Sequence, residues 1–261
     1  MAKYRPLFLN LNIMSDYKIE ICTNSVESSI AAEKGGADRV ELCAGIPEGG
    51  TTPSYGEILM AKEKLNIKIN VIIRPRGGDF FYTPIEIETM LKDIELCKKI
   101  GVNGVVFGCL NTDGTINMTD MRKLMKAAEG LSVTFHRAFD VCKNPKEAIE
   151  QIIELGCDRI LTSGQEKNAE LGIPLLTELN KISGGRIKLL AGCGVNETNI
   201  KKIATETGLK EFHFSARENI ASEMTFRRER VPMGGATTID EFSRPVTTVK
   251  RVKDTIEQLN A

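Results

Sequence analysis

Short apolar runs rich in β-branched residues recur along this chain, and a stretch with helical spacing follows each of them. Eight of these runs are predicted to form strands: residues 19–22, 39–43, 68–74, 104–108, 132–136, 159–163, 187–192 and 211–215. Strands that alternate with helices favour a parallel sheet, and a doubly wound sheet of five or six strands would leave two strands over. Eight repeats in about 245 residues therefore predict an α/β fold, a single (β/α)8 TIM barrel over residues 17–261.

The predicted helix boundaries carry their own signals. Ser54, Thr83 and Asn144 are each followed three positions later by Glu, which is a capping pattern, and the last two are followed directly by Pro. Glycine stands just before the next strand in "EKGGADRV", "KKIGVNGV", "ELGCDRI" and "TETGLKEF", where a helix is expected to end. The last helix is predicted over residues 246–259.

A long segment, residues 216–245, separates the eighth predicted strand from the last helix. Connections of this length are uncommon in compact domains unless they are functional or disordered. Because the segment follows a strand, it starts at the C-terminal face of the barrel, where barrel active sites lie. We expect a lid or an oligomer contact; a flexible insertion is the alternative.

Alternation along the strands assigns side chains to the barrel interior, because a parallel strand turns its aliphatic residues toward the surrounding helices. In "IEIC" and "VELC", within the first two strands, the aliphatic residues alternate with Glu and Cys. The same rule in the third, fifth and eighth strands completes the inward set: Glu20, Cys22, Glu41, Cys43, Asn70, Ile72, Arg74, Thr134, His136, Glu211, His213 and Ser215.

This predicted interior is unusually polar, since structural barrel layers are mostly Val, Ile and Leu. Buried charges cost several kcal/mol each unless they are paired, so the first interpretation is a functional site. The alternative is a structural ion-pair network in which Arg74 pairs with Glu20 or Glu41.

The loops after these strands add candidates for binding a small anion. Paired arginines suit carboxylate or phosphate groups, and glycines let the backbone approach a ligand closely. The turn "AGCGV" after the seventh strand matches the usual barrel phosphate site, where a helix N-terminus favours an anion. The predicted substrate-binding residues are Arg74, Arg76, Asp79, Arg137, Asp140, Ser163, Gln165, Gly192, Gly194, His213 and Ser215.

Seven cysteines, an odd number, are spread along the chain without a CxxC pair, so neither a disulfide framework nor a zinc ribbon is predicted. Adjacent strands lie about 4.8 Å apart, so Cys22 and Cys43, at equivalent heights, could share one metal ion. Soft thiolates select Cu(I) or Zn²⁺. The alternative is packing as small hydrophobic side chains, which is the interpretation for Cys97 and Cys157.

The composition excludes several classes of function. The chain is 41% hydrophobic and 27% charged, with a formal net charge of zero, which argues against nucleic acid or a membrane surface as partner. No apolar run approaches the ~18 residues of a membrane span. Residues 1–16 lack the features of a signal peptide and are predicted to be an extension outside the domain. Reduced thiols favour the cytoplasm.

Six motifs in order, "GGADRVELCAG", "EGGTTPS", "VIIRPRGGDFFY", "VTFHRAFDVCKNP", "LTSGQ" and "AGCGV", resemble the CutC family of copper homeostasis proteins. The resemblance covers essentially the whole domain from Tyr17 onward. It implies a cytoplasmic (β/α)8 barrel that forms a homo-oligomer, a dimer or tetramer, with no organic cofactor. It also implies Cu(I) binding, since the two cysteines proposed as ligands in the human relative correspond to Cys22 and Cys43.

Two functions stay open on this basis. In the first, the protein binds Cu(I) through the two cysteines. In the second, it is an enzyme acting on a small anionic or phosphorylated substrate. Glu20, Glu41 and His136 would then exchange protons with the substrate, while Arg74 and Arg76 would hold its charge.

Overall fold

A computed structural model of the protein describes residues 16–228, 231 and 240–260. Eight parallel strands are hydrogen-bonded in chain order, and the eighth pairs with the first to close a barrel. The strands are β1 Lys18–Thr23, β2 Arg39–Leu42, β3 Lys68–Ile72, β4 Gly104–Phe107, β5 Ser132–Phe135, β6 Arg159–Thr162, β7 Lys188–Gly192 and β8 Glu211–Phe214. The predicted (β/α)8 barrel is confirmed, and most strands end one or two residues earlier than predicted.

Helices follow the strands around the outside of the barrel. They are α1 Val26–Gly35, α2 Tyr55–Lys64, α3 Pro84–Ile100, α4 Met118–Ala127, α5 Pro145–Glu154, α6 Ile173–Ser183, α7 Ile200–Thr207 and α8 Val249–Asn260. The predicted caps are confirmed: Thr83 forms a capping box with Glu86, and the side chains of Ser54 and Asn144 accept hydrogen bonds from backbone N–H groups of the first turn. Two short 3-10 helices, Ile46–Glu48 and Arg137–Val141, follow β2 and β5.

The long connection between β8 and α8 is present, and its two ends pair with each other. β9 (Arg217–Ala221) and β10 (Ser243–Thr247) form a two-stranded antiparallel ribbon. Because Val246 and Thr247 pair with β9, the last helix begins at Val249 rather than at residue 246. Much of the remaining connection, residues 229–230 and 232–239, lies outside the described residues.

The N-terminal extension predicted over residues 1–16 also lies outside the described residues, apart from Asp16. Within the described part of the chain, no helix is long and apolar enough to cross a membrane.

The strand faces follow the predicted alternation. Ile21, Val40 and Leu42 are fully buried in the hydrophobic layer between the sheet and the helices. The intervening Glu20 and Glu41 are buried as well, but their carboxylates meet other polar side chains inside the barrel. A parallel strand covered on both faces therefore carries an apolar outer set and, here, a polar inner set.

Four charged side chains fill the interior near the N-terminal ends of the strands. Arg39 Nε lies 2.5 Å from Glu20 Oε2, and Arg39 Nη2 lies 2.6 Å from Glu211 Oε2. Arg159 Nε reaches the same Glu211 oxygen at 2.8 Å, and Asn70 Nδ2 donates to Glu20 at 3.0 Å. The charged side chains at this level are thus paired, and pairing offsets the cost of burying a charge.

Candidate functional site

Cys22 and Cys43 meet at the C-terminal end of the barrel. In the β1–β2 register Cys22 stands opposite Glu41, and Cys43 follows directly after β2. The two sulfur atoms are 3.8 Å apart, and Glu41 Oε2 lies 3.4 Å from Cys43 Sγ. One ligand atom from each of these three residues falls within 4.8 Å of the others, an arrangement that could hold a metal ion.

Two basic side chains lie beside this thiol pair. His213 Nε2 lies 3.5 Å from Glu41 Oε2, while its Nδ1 lies 2.8 Å from Glu20 Oε1. Arg217, the first residue of β9, donates from Nη2 to Cys22 Sγ at 3.3 Å and to the Cys22 carbonyl at 3.1 Å. The ribbon that follows β8 therefore brings a guanidinium directly to one of the two thiols.

These contacts separate the protonation states of the two cysteines. The hydrogen bond from Cys43 holds the pKa of the Cys22 thiol well below its usual range, and contacts with His213 and Arg217 act in the same direction against burial. The contact with Cys22 and burial together raise the pKa of the Cys43 thiol. Burial raises the pKa of Glu41 to about 8. The Cys22 thiol therefore ionises more readily than the Cys43 thiol.

The donor set fits a soft metal ion with low coordination. Taking ~2.3 Å, the Zn–S length, as the metal–sulfur distance, two sulfurs in line across an ion would be about 4.6 Å apart. The observed separation of 3.8 Å corresponds instead to a bent S–metal–S angle of about 110°. A bent pair leaves room for a third ligand, and two thiolates favour Cu(I).

The thiol pair opens into a cavity of about 580 Å³ at the barrel mouth. Seven of the eight strands, or the loops that follow them, contribute residues to it; β4 and its loop do not. The polar or sulfur-bearing residues that line it are Cys22, Glu41, Cys43, Arg74, His136, Arg137, Asp140, Cys193, His213, Ser215 and Arg217.

Arg74 does not pair with Glu20 or Glu41, so the ion pairs predicted for Arg74 from the sequence are wrong. Its guanidinium donates to the carbonyls of Glu48 and Gly50, each at 2.8 Å, and to that of Gly78 at 2.8 Å. Arg74 follows β3 by two residues and thus lies at the rim, whereas Glu20 is neutralised lower in the barrel by another arginine.

His136 presents an unusual buried donor on the cavity wall. Its Nδ1 accepts the Ala138 backbone N–H at 3.3 Å, so Nε2 carries the proton of the neutral ring. Burial and the nearby charge of Arg74 lower the pKa of His136 to about 3. Among the described residues, His136 Nε2 and Arg74 Nε are both buried without a hydrogen-bond partner. Phe80 packs against both side chains, with its ring 4.8 Å from the imidazole and 5.0 Å from the guanidinium carbon.

A second group of predicted residues is occupied by contacts within the protein. Asp140 accepts hydrogen bonds from the Thr162 hydroxyl, the backbone N–H groups of Ser163 and Gln165, and Arg137 Nε. The Gln165 side chain donates to the carbonyls of Phe139 and Cys142. Arg137 and Asp140 still line the cavity. These contacts tie the loop after β5 to the loop after β6.

Arg76 and Asp79 lie outside the cavity lining. They pair with each other at 3.0 Å, and Arg76 also contacts Glu86 at 2.6 Å at the start of α3. The structure therefore separates these two predicted residues from the thiol pair.

The Gly-rich turn after β7 contributes to the cavity through Gly194, and the residue after β8 contributes through Ser215. Gly192 lies within β7, where a Cβ atom would come 2.4 Å from Leu161 and 3.3 Å from His213, so a larger residue there would have to displace the Leu161 side chain. Phosphate binding at this turn stays a prediction.

Backbone strain concentrates at the same rim. Among the described non-glycine residues, three have a positive φ: Gln165 at 58°, Cys193 at 75° and Ala216 at 47°. They follow β6, β7 and β8 in turn. Left-handed non-glycine residues cost free energy and gather at functional sites, which agrees with a site at this face.

Among the residues that set the charges inside the barrel, Arg39 and Arg217 were not identified from the sequence. Arg39 shares the strand parity of Glu41 and Cys43, so extending the alternation by one more residue would have found it. Arg217 lies three residues beyond β8, where no strand pattern applies, and only the position of the ribbon brings it to Cys22.

Comparison with known proteins gives a consistent result. The family model for the CutC family matches residues 17–218. A CutC family protein of Bacteroides fragilis is 66% identical over 249 residues, which cover 95% of this chain and 99% of the relative. The human copper homeostasis protein cutC homolog is 45% identical over 237 residues, covering 91% of this chain and 87% of that protein. The crystal structure of the putative copper homeostasis protein CutC from Streptococcus agalactiae superposes with a TM-score of 0.74 at 34% identity, covering 76% of this chain and 98% of that one.

Proposed function

This chain belongs to the CutC family, and on that premise we propose that it takes part in copper homeostasis by binding Cu(I) through Cys22 and Cys43. The observation that carries the proposal is the sulfur–sulfur distance of 3.8 Å between two thiols that the sequence places 21 residues apart. Relatives that carry copper homeostasis in their names support the choice of metal.

The surroundings of the thiols suit an ion with a single positive charge. Two thiolates and one Cu(I) form a unit with one net negative charge, which is costly to bury alone. Arg217, 3.3 Å from Cys22 Sγ, supplies a compensating cation. Glu41 is the remaining oxygen donor, but soft Cu(I) prefers sulfur, so the two cysteines hold the ion in this proposal.

A Cu(I) titration against a competing chelator tests this proposal on the reduced protein. We expect Cys22→Ser and Cys43→Ser each to weaken binding by about tenfold or more, because a hard hydroxyl replaces one of two soft ligands. Cys193→Ser is the matched control, since it removes another half-buried thiol from the same cavity but outside the group of three close donors. A Cys22→Ser/Cys43→Ser variant that binds Cu(I) as tightly as the wild type would refute the proposal.

A second candidate is an enzyme that acts on a small anionic or phosphorylated substrate. The unpartnered Nε2 of His136 favours it, because a buried donor without a partner is costly unless a ligand meets it. Glu41, with its pKa raised to about 8, is suited to exchange a proton near neutral pH. Glu20 is less suited, since Arg39, Asn70 and His213 already occupy its carboxylate.

Thermal unfolding in the presence of sugar phosphates and small carboxylates tests the second candidate. A ligand bound at a hundred times its Kd stabilises the folded state by about 2.7 kcal/mol, which a melting curve detects. His136→Phe should abolish the shift. No stabilisation by any member of such a panel would count against the enzyme.

We also propose that the protein works in the cytoplasm as a homo-oligomer. All seven cysteines are free, which agrees with a reducing compartment. The oligomer rests on the family resemblance, and size-exclusion chromatography with light scattering tests it.

A further inference from the structure

The copper site is open on one side. Two sulfurs 3.8 Å apart would hold one ion in a bent arrangement with room for a third ligand, and both cysteines line the cavity. That cavity of about 580 Å³ has the size of a small-molecule pocket, far larger than a single ion needs. The cavity therefore has room for a small molecule beside the ion.

The wall next to the thiols is a receptor for negative charge. Cys43 and Arg74 are joined by one turn: the Gly50 carbonyl accepts from Arg74 Nη1 at 2.8 Å, and a Cβ on Gly50 would lie 3.7 Å from Cys43 Sγ. His136 lines the same wall and is 4% exposed, and Arg74 is 5% exposed. Their free Nε2 and Nε donors are buried without partners.

A carboxylate has two oxygens, and each could accept a hydrogen bond from one of these two side chains. An unpaired buried donor costs free energy, which a hydrogen bond to a carboxylate would recover. On the thiol side of the cavity, in contrast, a soft ion bound by two sulfurs favours sulfur as its third ligand.

We propose that the natural cargo of this cavity is a complex of Cu(I) with a small thiol that carries a carboxylate. The thiol sulfur would occupy the third position on the ion, and the carboxylate would bind His136 and Arg74. This inference rests on the proposed function, because it requires that Cys22 and Cys43 bind Cu(I).

The replacement of small thiolates on the ion by the two protein thiols needs no oxidant or reductant, since copper stays Cu(I) throughout. From an ion held by three small thiolates, Cys22 and Cys43 each form one Cu–S bond, and two of the three bonds to small thiolates break. Each protein thiol that binds releases a proton, and each departing small thiolate takes one up. The result is an ion bound by three sulfurs, from which reversal of the steps passes copper on.

Two thiols of similar size test the proposal on the full reduced chain. Mercaptopropionate carries a carboxylate, whereas mercaptoethanol carries an uncharged hydroxyl. The protein is loaded with Cu(I) in the presence of either thiol, and the retained small thiol is measured by equilibrium dialysis. X-ray absorption at the copper edge counts the sulfur ligands. We expect one mercaptopropionate per copper and three sulfur ligands, and about tenfold weaker retention of mercaptoethanol, since it lacks the charge-assisted hydrogen bonds.

Substitutions in the cavity wall test which residues retain mercaptopropionate. His136→Phe keeps a ring against Phe80 but removes the donor, and we expect retention of mercaptopropionate to fall by about tenfold. Arg122→Gln removes an exposed arginine on α4 and should leave retention unchanged. Circular dichroism confirms that each variant is folded, and the wild-type comparison of the two thiols does not depend on any variant.

The outcomes separate this inference from the proposed function. If Cu(I) binding does not depend on Cys22 and Cys43, the proposed function fails. If copper binds through them but mercaptopropionate and mercaptoethanol are retained equally, or only two sulfurs are found with either thiol, the inference is overturned while the proposed function stands.

Discussion

Replacing Arg39 with methionine should destabilise the barrel far more than replacing an exposed arginine. Arg39 is 4% exposed and makes two charge-assisted hydrogen bonds, at 2.5 Å to Glu20 and 2.6 Å to Glu211. Methionine keeps most of the apolar stem but leaves two buried carboxylates without this cation. Losing one partner of a buried ion pair costs about 3–5 kcal/mol. Because Arg159 still pairs with Glu211, we expect the lower end, about 3 kcal/mol.

Equilibrium urea unfolding at neutral pH measures this loss, with Arg122→Met as the matched control. Arg122 pairs with Glu154 on the surface, with side chains 61% and 63% exposed, so its loss should cost less than about 1 kcal/mol. In an Arg39→Met/Glu20→Gln double variant the two losses should not add, because both disrupt one network.

Acidification gives a second readout of the same network. Burial raises the pKa of Glu20, but the Arg39 guanidinium and the His213 contact outweigh burial and hold that pKa well below its ordinary value of 4.5. The resulting stabilisation is present above pH 4.5 and is lost as the pH falls toward the folded-state pKa. The gap between the wild type and Arg39→Met should therefore narrow in acid. A loss as small as that of Arg122→Met, or a gap that widens in acid, would refute the reasoning.

Three further predictions concern the mouth of the barrel. Burial raises the pKa of Glu41 from 4.5 to about 8, so the native state keeps a proton that the unfolded chain releases, and this stabilisation is lost as the pH rises toward 8. Glu41→Gln should therefore gain stability relative to the wild type between about pH 5 and pH 8 in urea unfolding, and a difference constant with pH would contradict this. The chain has two histidines; burial lowers the pKa of His136 to about 3, whereas contacts with Cys22 and Glu20 outweigh burial and raise that of His213. Neither ring signal should show an NMR titration midpoint near 6.5, and a midpoint there would show that one ring is not in its described environment. Asp140→Asn should lower the free energy of unfolding by about 1–3 kcal/mol, measured by thermal or urea unfolding. The substitution replaces one carboxylate oxygen, which accepts hydrogen bonds, by an NH2 group that cannot accept them. An unchanged stability would mean that the loops after β5 and β6 are held together by other contacts.

The local pattern of the sequence was enough for the architecture. Strand and helix periods, capping residues and glycines act over a few neighbouring residues, so they predict eight repeats without knowledge of the packing. The two-residue period of a strand also decides which side chains enter the barrel. Glu20, Cys22, Glu41 and Cys43 were therefore placed inside, and the contact between the two sulfurs follows from the pairing of adjacent strands.

Only the tertiary structure decided which of those groups meet. Strand parity gives the side of a residue but not its height, and height depends on the register between strands. That register sets Arg39 beside Glu20, while Arg74, beyond the end of β3, binds backbone carbonyls at the rim. Arg217 reaches Cys22 only because the chain pairs with itself as a ribbon after β8. The charge balance of the site thus depends on contacts between distant segments, which no local pattern encodes.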